Sequence, residues 1–523
     1  MIECMVSTAE ETTVEVVTKA FARSFTRGQV RRTCAPKDSA TSGVVVVLGP
    51  GDDDADWLEA LARRPIKIVL LGALGPRMAR LAGVTVPAVS EDLAVHCVCP
   101  PTPAHHTRES SATLVYAPSV LWKGSAPLRR SFCRFDFTDE WNNLGYGRIG
   151  VGDGPWSIPG VARGTTAKVI ADIVTSDGGS QGAAATLRDL PNASILWFAR
   201  PVGPVDGPDW AIVESFVGNY RRGELPCRPY LRDIPHGVGA AVTMRLDCDE
   251  DIASACPLFD LYRERGLPMS VAVRTGQLAH NANVMFLRDL FAAGGTILSH
   301  SVSHSPEWGG SMSAAETEAR ESKAWLQEHV PGLAVRFAVS PFHQNPTFVP
   351  AALAREGYQG FIGGTIACHP EYLMARGGIV PCGPDGFISH SQSCMLHGDC
   401  LLGDDDPLRI YKKAFCNAKD TGQFFGYLDH PFSERYTYGW ANETERLKTH
   451  GDFLDFMMVE CARADASLLF VNEETCLDFM LEKSAADILF DSECGTFSVS
   501  RTHAAGLPLS IGYEERVVAA AHG

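Results

Sequence analysis

The sequence lacks long apolar runs. None of its apolar stretches approaches the roughly 18 to 20 residues that a membrane-spanning helix needs. The N-terminal segment MIECMVSTAEETTVEVV also lacks the basic stretch followed by an apolar stretch that is typical of a secretory signal. We therefore expect a cytoplasmic protein with no membrane span.

Positive charge is scarce. The chain has 46 lysines and arginines against 62 aspartates and glutamates, which gives a formal net charge of −16. A protein this acidic repels phosphate backbones and anionic membrane surfaces, so nucleic acid is not an expected partner. The composition is compatible with a neutral or amine-bearing substrate. It is also compatible with a homo-oligomer.

Closely spaced cysteine pairs are almost missing. Sixteen cysteines are scattered along 523 residues, and the C-x-C pair at Cys97 and Cys99 has no second pair to complete a zinc site. Scattered cysteines in a long chain do not indicate a disulfide framework.

The first part of the chain shows a strand, helix and strand pattern after residues 1–40, which carry no strong pattern. The apolar run Val44–Leu48 and a second, mostly apolar strand at Ile66–Leu71 flank the helical pattern DWLEALARR, for which Asp56 is the expected N-cap. This is a βαβ unit. We expect an α/β domain over residues 1–235, flavodoxin-like or amidotransferase-like, of unknown role.

From residue 240 onward strands and helices alternate regularly. Strands are expected at 240–247, 268–273, 296–300, 335–341, 359–363, 424–430 and 467–471, and helices at 252–265, 284–293, 314–330, 348–356 and 445–464. The alternation predicts a (β/α) barrel over residues 236–485, with its active site at the C-terminal strand ends. Short strands near 488, 497 and 507 predict a small β appendage over 486–523.

Polar residues follow three of these predicted strands. Asp247 and Asp249 are two residues apart, so both point to one face of a strand. His300 and His304 are four residues apart in SHSVSH and share one side if a helical turn follows the strand, and His430 ends the strand in YLDHPF. Each motif alone is more often structural. Together they favour a metal site with a general base and a separate acid, the components of amide hydrolysis.

These motifs resemble those of the polysaccharide deacetylase family, also called NodB-homology or carbohydrate esterase 4, from about residue 240 to residue 484. The resemblance implies a distorted (β/α)7 barrel. It also implies that Asp247 is the catalytic base and His430 the general acid. Asp249, His300 and His304 would be the metal ligands, although the D-x-D spacing is that of divergent branches.

The third motif of that family is incomplete here. The family shows R-x-P-Y, with the arginine bonded to the base, whereas this chain has Val339 at the arginine position. Arg245 shares the inward face with Asp247 and is the expected substitute; Arg336 is the other candidate.

Two further expectations concern the oxyanion and the acid. The backbone N–H of Phe342 replaces that of the family's tyrosine as a donor to the oxyanion. The family's fourth motif, an aspartate that pairs with the acid histidine, is not found; Asp429 is adjacent to His430 but points the other way on a strand.

The implied function is removal of an acetyl group from an N-acetylated amino sugar, whether free, nucleotide-linked, lipid-linked or polymeric. Zn²⁺ is the default metal, and iron, cobalt, manganese or nickel could use the same ligands. Two alternatives remain: a hydrolase of a cyclic amide or ureide on the same barrel, as in allantoinase-like relatives, and a catalytically inactive barrel that binds sugar.

Overall fold

The structure is a computed structural model. It describes residues 1–34, 42–97, 112–122, 124, 126–132, 149–277, 281–343, 345–363, 376–380, 383–390, 393–401, 403, 406–491, 496–500 and 506–522.

Helices and strands are numbered separately in chain order. The helices are α1 (Glu11–Phe25), α2 (Ala55–Leu61), α3 (Pro76–Ala82), α4 (Glu91–His96), α5 (Trp210–Gly218), α6 (Cys256–Glu264), α7 (Asn281–Ala292), α8 (Met312–His329), α9 (Val349–Arg355), α10 (Arg409–Thr421), α11 (Glu443–Arg463) and α12 (Glu473–Ala485). The strands are β1 (Ile2–Val6), β2 (Val30–Thr33), β3 (Val44–Leu48), β4 (Ile66–Leu71), β5 (Ala112–Tyr116), β6 (Leu128–Ser131), β7 (Gly150–Val151), β8 (Ser157–Ile158), β9 (Lys168–Thr175), β10 (Ser180–Asp189), β11 (Ala193–Phe198), β12 (Tyr230–Leu231), β13 (Ala240–Cys248), β14 (Ser270–Val273), β15 (Thr296–Ser299), β16 (Phe337–Val339), β17 (Gly360–Ile362), β18 (Gly378–Ile379), β19 (Ile388–His390), β20 (Cys394–Met395), β21 (Phe424–Asp429), β22 (Leu468–Phe470), β23 (Asp487–Asp491), β24 (Thr496–Ser500), β25 (Ser510–Tyr513), β26 (Arg516–Ala519) and β27 (Ala521–His522).

The N-terminal part forms a nine-stranded mixed sheet in the order β2-β1-β3-β4-β11-β10-β9-β5-β6. Going along this order, neighbouring strands from β2 to β11 pair in parallel, and neighbouring strands from β11 to β6 pair antiparallel. Every residue of β3 and β4 is buried, which explains why both strands are apolar apart from Lys67. The βαβ unit is therefore confirmed, whereas the flavodoxin-like or amidotransferase-like type stays a prediction.

Two local expectations in this part were wrong. Residues 1–40 contain β1, β2 and α1, whose buried face the sequence analysis did not detect. The N-cap of α2 is Asp54, not Asp56, because a 3₁₀ turn over Asp52–Asp54 precedes the helix. Asp56 instead lies in the first helical turn, where a negative charge is also favourable.

The second large sheet has the order β18-β19-β17-β16-β15-β14-β13-β21-β20, with β22 also paired to β13. All pairs are parallel except β18 with β19. A flat sheet would place β19 and β20 about 34 Å apart, at about 4.8 Å per strand. The chain from His390 to Cys394 spans at most about 14 Å. The sheet must therefore curl, as a barrel-like architecture requires.

The two faces of this sheet are covered by different elements. Helices α6 to α11 lie on one face, and their buried residues form one cluster with Val242, Met244 and Leu246 of β13. Helix α12 contacts the opposite face, here called the inner face. Ala241 and every second residue after it along β13 lie on this inner face. Thr243, Arg245 and Asp247 therefore lie on the inner face, so β13 carries a row of polar residues into the barrel.

The predicted C-terminal strands are present and pack onto the rest of the chain. Strand β25 pairs with β12, and Val499 and Ile511 belong to the same buried cluster as Ala241 on the inner face. The boundaries at residues 235 and 485 stay predictions. Cysteines whose side chains are described are free thiols, and Cys99 lies outside the described ranges. Among the described helices, none is both long and apolar enough to cross a membrane.

A buried ion cluster links residues from four separate parts of the chain. The carboxylate of Asp233 pairs with Arg376 and with Lys483, and Glu214 binds the same guanidinium at 2.9 Å. All four side chains are buried. Removing one partner from such a cluster leaves a buried charge without its counter-ion, which is far more costly than losing an exposed pair.

We expect Asp233→Ala to lower the free energy of unfolding by about 3–5 kcal/mol, since Lys483 loses its buried carboxylate partner and Arg376 keeps only Glu214. Urea unfolding followed by fluorescence measures the change. Glu515→Ala is the matched control: its partner Arg222 is exposed, so the loss should stay below about 1 kcal/mol. Equal losses in the two variants would contradict a stabilising role for the buried cluster.

Candidate metal centre

Three parallel strands deliver the candidate side chains to one edge of the curled sheet. Asp249 follows the last residue of β13, His300 that of β15 and His430 that of β21. Since these strands run in the same direction and are near neighbours, their carboxyl ends lie together. The fold thus brings the residues predicted as ligands and acid to the same place.

The three residues predicted as metal ligands form one compact group. Oδ1 of Asp249 lies 3.2 Å from Nε2 of His300 and 3.4 Å from Nε2 of His304. The three ligand atoms all lie within 4.8 Å of one another. Nδ1 of His300 is 2.9 Å from the carbonyl oxygen of Val339. An N–H at Nδ1 that donates to this carbonyl leaves the Nε2 lone pair turned toward Asp249.

The chemistry of this group fits a divalent cation. Oδ1 of Asp249 is buried and makes no hydrogen bond of normal geometry with the described residues. Burial and the neighbouring His300 lower the pKa of His304 to about 4, so this imidazole is neutral and can act as a ligand at neutral pH. Two imidazoles and one carboxylate are a common ligand set that leaves positions open for water and substrate.

The turn after β15 is not the helical turn that the sequence suggested. Ser301 and His304 have φ values of 64° and 58°, in the left-handed region that non-glycine residues seldom adopt. The hydroxyl of Ser301 accepts a hydrogen bond from the N–H of His304 at 2.9 Å and stabilises the turn. The ring of His304 thereby lies 4.6 Å from that of His300.

The turn after β16 carries the predicted oxyanion residue and is also strained. Phe342 and the buried His343 have φ values of 52° and 58°. Each such residue costs about 1–3 kcal/mol, and strain of this size tends to cluster at functional sites. The ring of Phe342 packs 4.6 Å from that of His304, so this turn borders the candidate ligands.

Arg245 contacts the predicted base, as the sequence analysis expected. Its Nε donates to Oδ1 of Asp247 at 2.7 Å and its Nη2 to Oδ2 at 3.2 Å. Burial raises the pKa of Asp247, but Arg245 together with the nearby His300 and His430 outweighs this effect and lowers the pKa to about 2. Asp247 is therefore ionised at neutral pH. The other candidate, Arg336, instead pairs with Glu474 and Asp478.

His430 lies next to the other carboxylate oxygen of Asp249. Its Nε2 is 3.4 Å from Oδ2 of Asp249, and its Nδ1 is 2.7 Å from Nε2 of His397. The ring of Tyr438 stacks on the His430 ring at 4.2 Å. His430 was expected to pair with an aspartate that could not be found in the sequence. In the structure its partner is His397. A lone histidine after a two-residue strand offered no sequence signal.

Asp429 supports the backbone at His430. One carboxylate oxygen accepts a hydrogen bond from the N–H of His430 at 2.7 Å. The other accepts from Nε of Arg446 at 2.7 Å and lies 3.0 Å from Nε2 of His450. Arg446 and His450 are four residues apart and buried on α11, a spacing that the sequence analysis overlooked.

A second compact group consists of His397, Asp429 and His430. Its carboxylate already binds the buried cation Arg446, which would repel a metal ion. In the group of Asp249, His300 and His304, no arginine or lysine among the described residues pairs with the carboxylate, so this group is the better candidate.

No protein-family model matches the sequence, and no curated protein matches it. Solved structures resemble the chain over less than half of its length. A family 4 acetyl xylan esterase from Clostridium thermocellum, in complex with cobalt, is 14% identical over 45% of this chain and 90% of that chain, with a TM-score of 0.30. The chitin deacetylase of Colletotrichum lindemuthianum is 14% identical over 46% of this chain and 88% of that chain, with a TM-score of 0.32.

The Puue allantoinase is 12% identical over 47% of this chain and 91% of that chain, with a TM-score of 0.35. At scores this low the likenesses carry no argument about activity. A functional assignment must therefore come from the candidate site itself.

We expect His300→Ala and His304→Ala each to weaken zinc binding by about a hundredfold or more, because each removes one of three protein ligands. Metal analysis after dialysis, with a melting curve for each variant, measures the effect. His329→Ala is the control, since this histidine stacks on Trp325 at the end of α8. Full zinc occupancy in either ligand variant would rule out the assignment.

Proposed function

We propose that this chain is a metal-dependent hydrolase that removes the acetyl group from an N-acetylated amino sugar, with its metal held by Asp249, His300 and His304. The observation that carries the proposal is an ionised carboxylate beside the ligand group. Asp247 lies on the inner face of β13, two residues before Asp249, and is held ionised with the help of Arg245. A ligand set with an adjacent base is the arrangement that amide hydrolysis requires.

Zinc is the default metal for two histidines and a carboxylate, and iron, cobalt, manganese or nickel suit the same ligands. Such a metal, when bound, polarises the acetyl carbonyl and lowers the pKa of a water molecule toward neutrality.

Asp247 is proposed to accept the proton of the attacking water. Arg245 occupies one lone pair on each carboxylate oxygen, and each oxygen retains another that can accept a hydrogen bond. The two-point contact also fixes the carboxylate plane. Fixed orientation matters because misplacement of a catalytic group by about 1 Å can cost about a hundredfold in rate.

His430 is proposed to protonate the departing amine. Its Nδ1 is engaged by His397, so its Nε2 is the nitrogen that faces the ligand group. Stacking against Tyr438 restricts rotation of the ring. The backbone N–H of Phe342, in the strained turn beside His304, is proposed to stabilise the oxyanion.

The proposal that the substrate is an N-acetylated sugar rests on the order of the sequence motifs. A panel of substrates tests this proposal. Zinc-loaded protein is offered N-acetylglucosamine, its nucleotide conjugate, its oligomers, an aryl acetate and cyclic ureides, with release of acetate and ring opening both measured. We expect acetate release from at least one N-acetyl sugar. Ring opening without acetate release would favour the cyclic amide hydrolase instead, and no turnover of any substrate would favour an inactive barrel.

The same substrates, together with zinc analysis, distinguish the role of Asp247 from that of Asp249. We expect Asp247→Asn to retain zinc and lose at least about a hundredfold in kcat, since a general base typically contributes this much. Asp249→Asn should lose both zinc and activity, because it removes a ligand. Equal loss of zinc in the two variants would show that the roles of base and ligand are misassigned.

His430→Ala tests the acid. We expect kcat for an N-acetyl sugar to fall about a hundredfold with little change in KM, because an amine leaves poorly without a proton. An activated aryl acetate should slow much less, since a phenolate leaves unaided. If both substrates slow by the same factor, His430 positions the site and does not act as the acid.

A further inference from the structure

Beneath the candidate base, the inner face of β13 carries a buried polar row. Arg245 is completely buried and uses Nε and Nη2 to bind Asp247. Its remaining nitrogen, Nη1, lies 3.9 Å from Oε1 of Glu473. The guanidinium therefore lies between two carboxylates, only one of which the proposed chemistry uses.

Glu473 is held at this position by the start of a helix. It is the first residue of α12, and its exposed fraction is 0%. Its backbone N–H donates to the hydroxyl of Ser270 at 2.9 Å. Ser270 is also the register partner of Arg245 across β13 and β14, so the beginning of α12 is attached directly beside the arginine.

The other carboxylate oxygen faces a neutral group. Oε2 of Glu473 lies 3.5 Å from Nε2 of His390, which is 3.0 Å from the hydroxyl of Thr243. Burial and the charge of Arg245 lower the pKa of His390 to about 3, so this imidazole carries no charge at neutral pH. Burial raises the pKa of Glu473 to about 7, against the opposing effect of Arg245. Of these two neighbours, only Arg245 is cationic.

We propose that Glu473 is a positioning residue that holds the far side of Arg245, so that Nε and Nη2 stay directed at Asp247. This role rests on the proposed function for the interpretation of Asp247 as a base. An acidic residue in the first turn of a helix is favourable in itself. Glu474 satisfies that preference at the next position while pairing with the half-exposed Arg336, whereas Glu473 is fully buried against the arginine of the site.

The test compares Glu473→Gln with Glu474→Gln in zinc-loaded protein. We expect Glu473→Gln to lower kcat about tenfold with KM and zinc content unchanged, because the base is misdirected while substrate and metal sites are intact. Glu474→Gln should leave kcat unchanged. A wild-type kcat for Glu473→Gln would overturn the proposal.

A double-mutant cycle shows whether Glu473 acts through the arginine. If it does, Arg245→Lys combined with Glu473→Gln should have a kcat no lower than Arg245→Lys alone. Multiplicative losses would mean that Glu473 acts independently of Arg245, and would overturn the proposal.

A crystal structure of Glu473→Gln decides the point without any assay. We expect Arg245 to lose at least one of its two hydrogen bonds to Asp247; an unchanged pair of hydrogen bonds would overturn the positioning role. If the wild-type protein hydrolyses none of the panel substrates, the proposed function fails and this structure still decides the role of Glu473.

Should Glu473→Gln not fold, Glu473→Asp takes its place, since it keeps the carboxyl group and withdraws it from Arg245 by one methylene. Reduced kcat with unchanged KM would support the proposal, and a wild-type kcat would overturn it. Failure of both variants to fold would assign Glu473 a purely structural role and would equally overturn the proposal.

Discussion

The ion pair between Arg245 and Asp247 is the interaction on which the candidate site depends. Both side chains are buried. Taking an ion out of water costs several kcal/mol, and a partner of opposite charge at hydrogen-bond distance offsets that cost only in good geometry. Here the two groups are two residues apart on β13, so the strand itself provides the geometry. Two residues further on, Asp249 lies beside His300 and His304.

Each histidine of the site is held in its orientation by a different neighbouring residue. His300 is oriented by the carbonyl of Val339, and His304 by a left-handed turn closed by Ser301. His430 is fixed by His397 on one nitrogen. Val339 and His397 lie outside the motifs that identify the ligands, whereas Ser301 lies within the motif that contains His300 and His304. The contacts at His300 and His430 determine which ring nitrogen faces the site, and that nitrogen decides whether a histidine can bind a metal or donate a proton. The contact at Ser301 instead stabilises the turn that places the ring of His304.

Much of the secondary structure could be predicted from the sequence, because buried parallel strands and amphipathic helices have distinct residue patterns. Strands β3, β4 and β13 lie within a residue or two of their predicted positions. Helices α1 and α12 were not predicted, and α12 supplies Glu473. Its apolar residues lie on more than one side of the helix, because the inner face surrounds it, so it lacks a single apolar stripe.

By itself, the sequence determined which residue types could form the site and on which strand face they lie. The spacing of Asp247 and Asp249 already implied that both point inward, since side chains alternate along a strand. Only the tertiary structure decided the partners. His397 reaches His430, and Glu473 reaches Arg245, across long stretches of chain. Contacts of this kind depend on how the sheet curls and which strands become neighbours, a property of the packed core that no local pattern of residues contains.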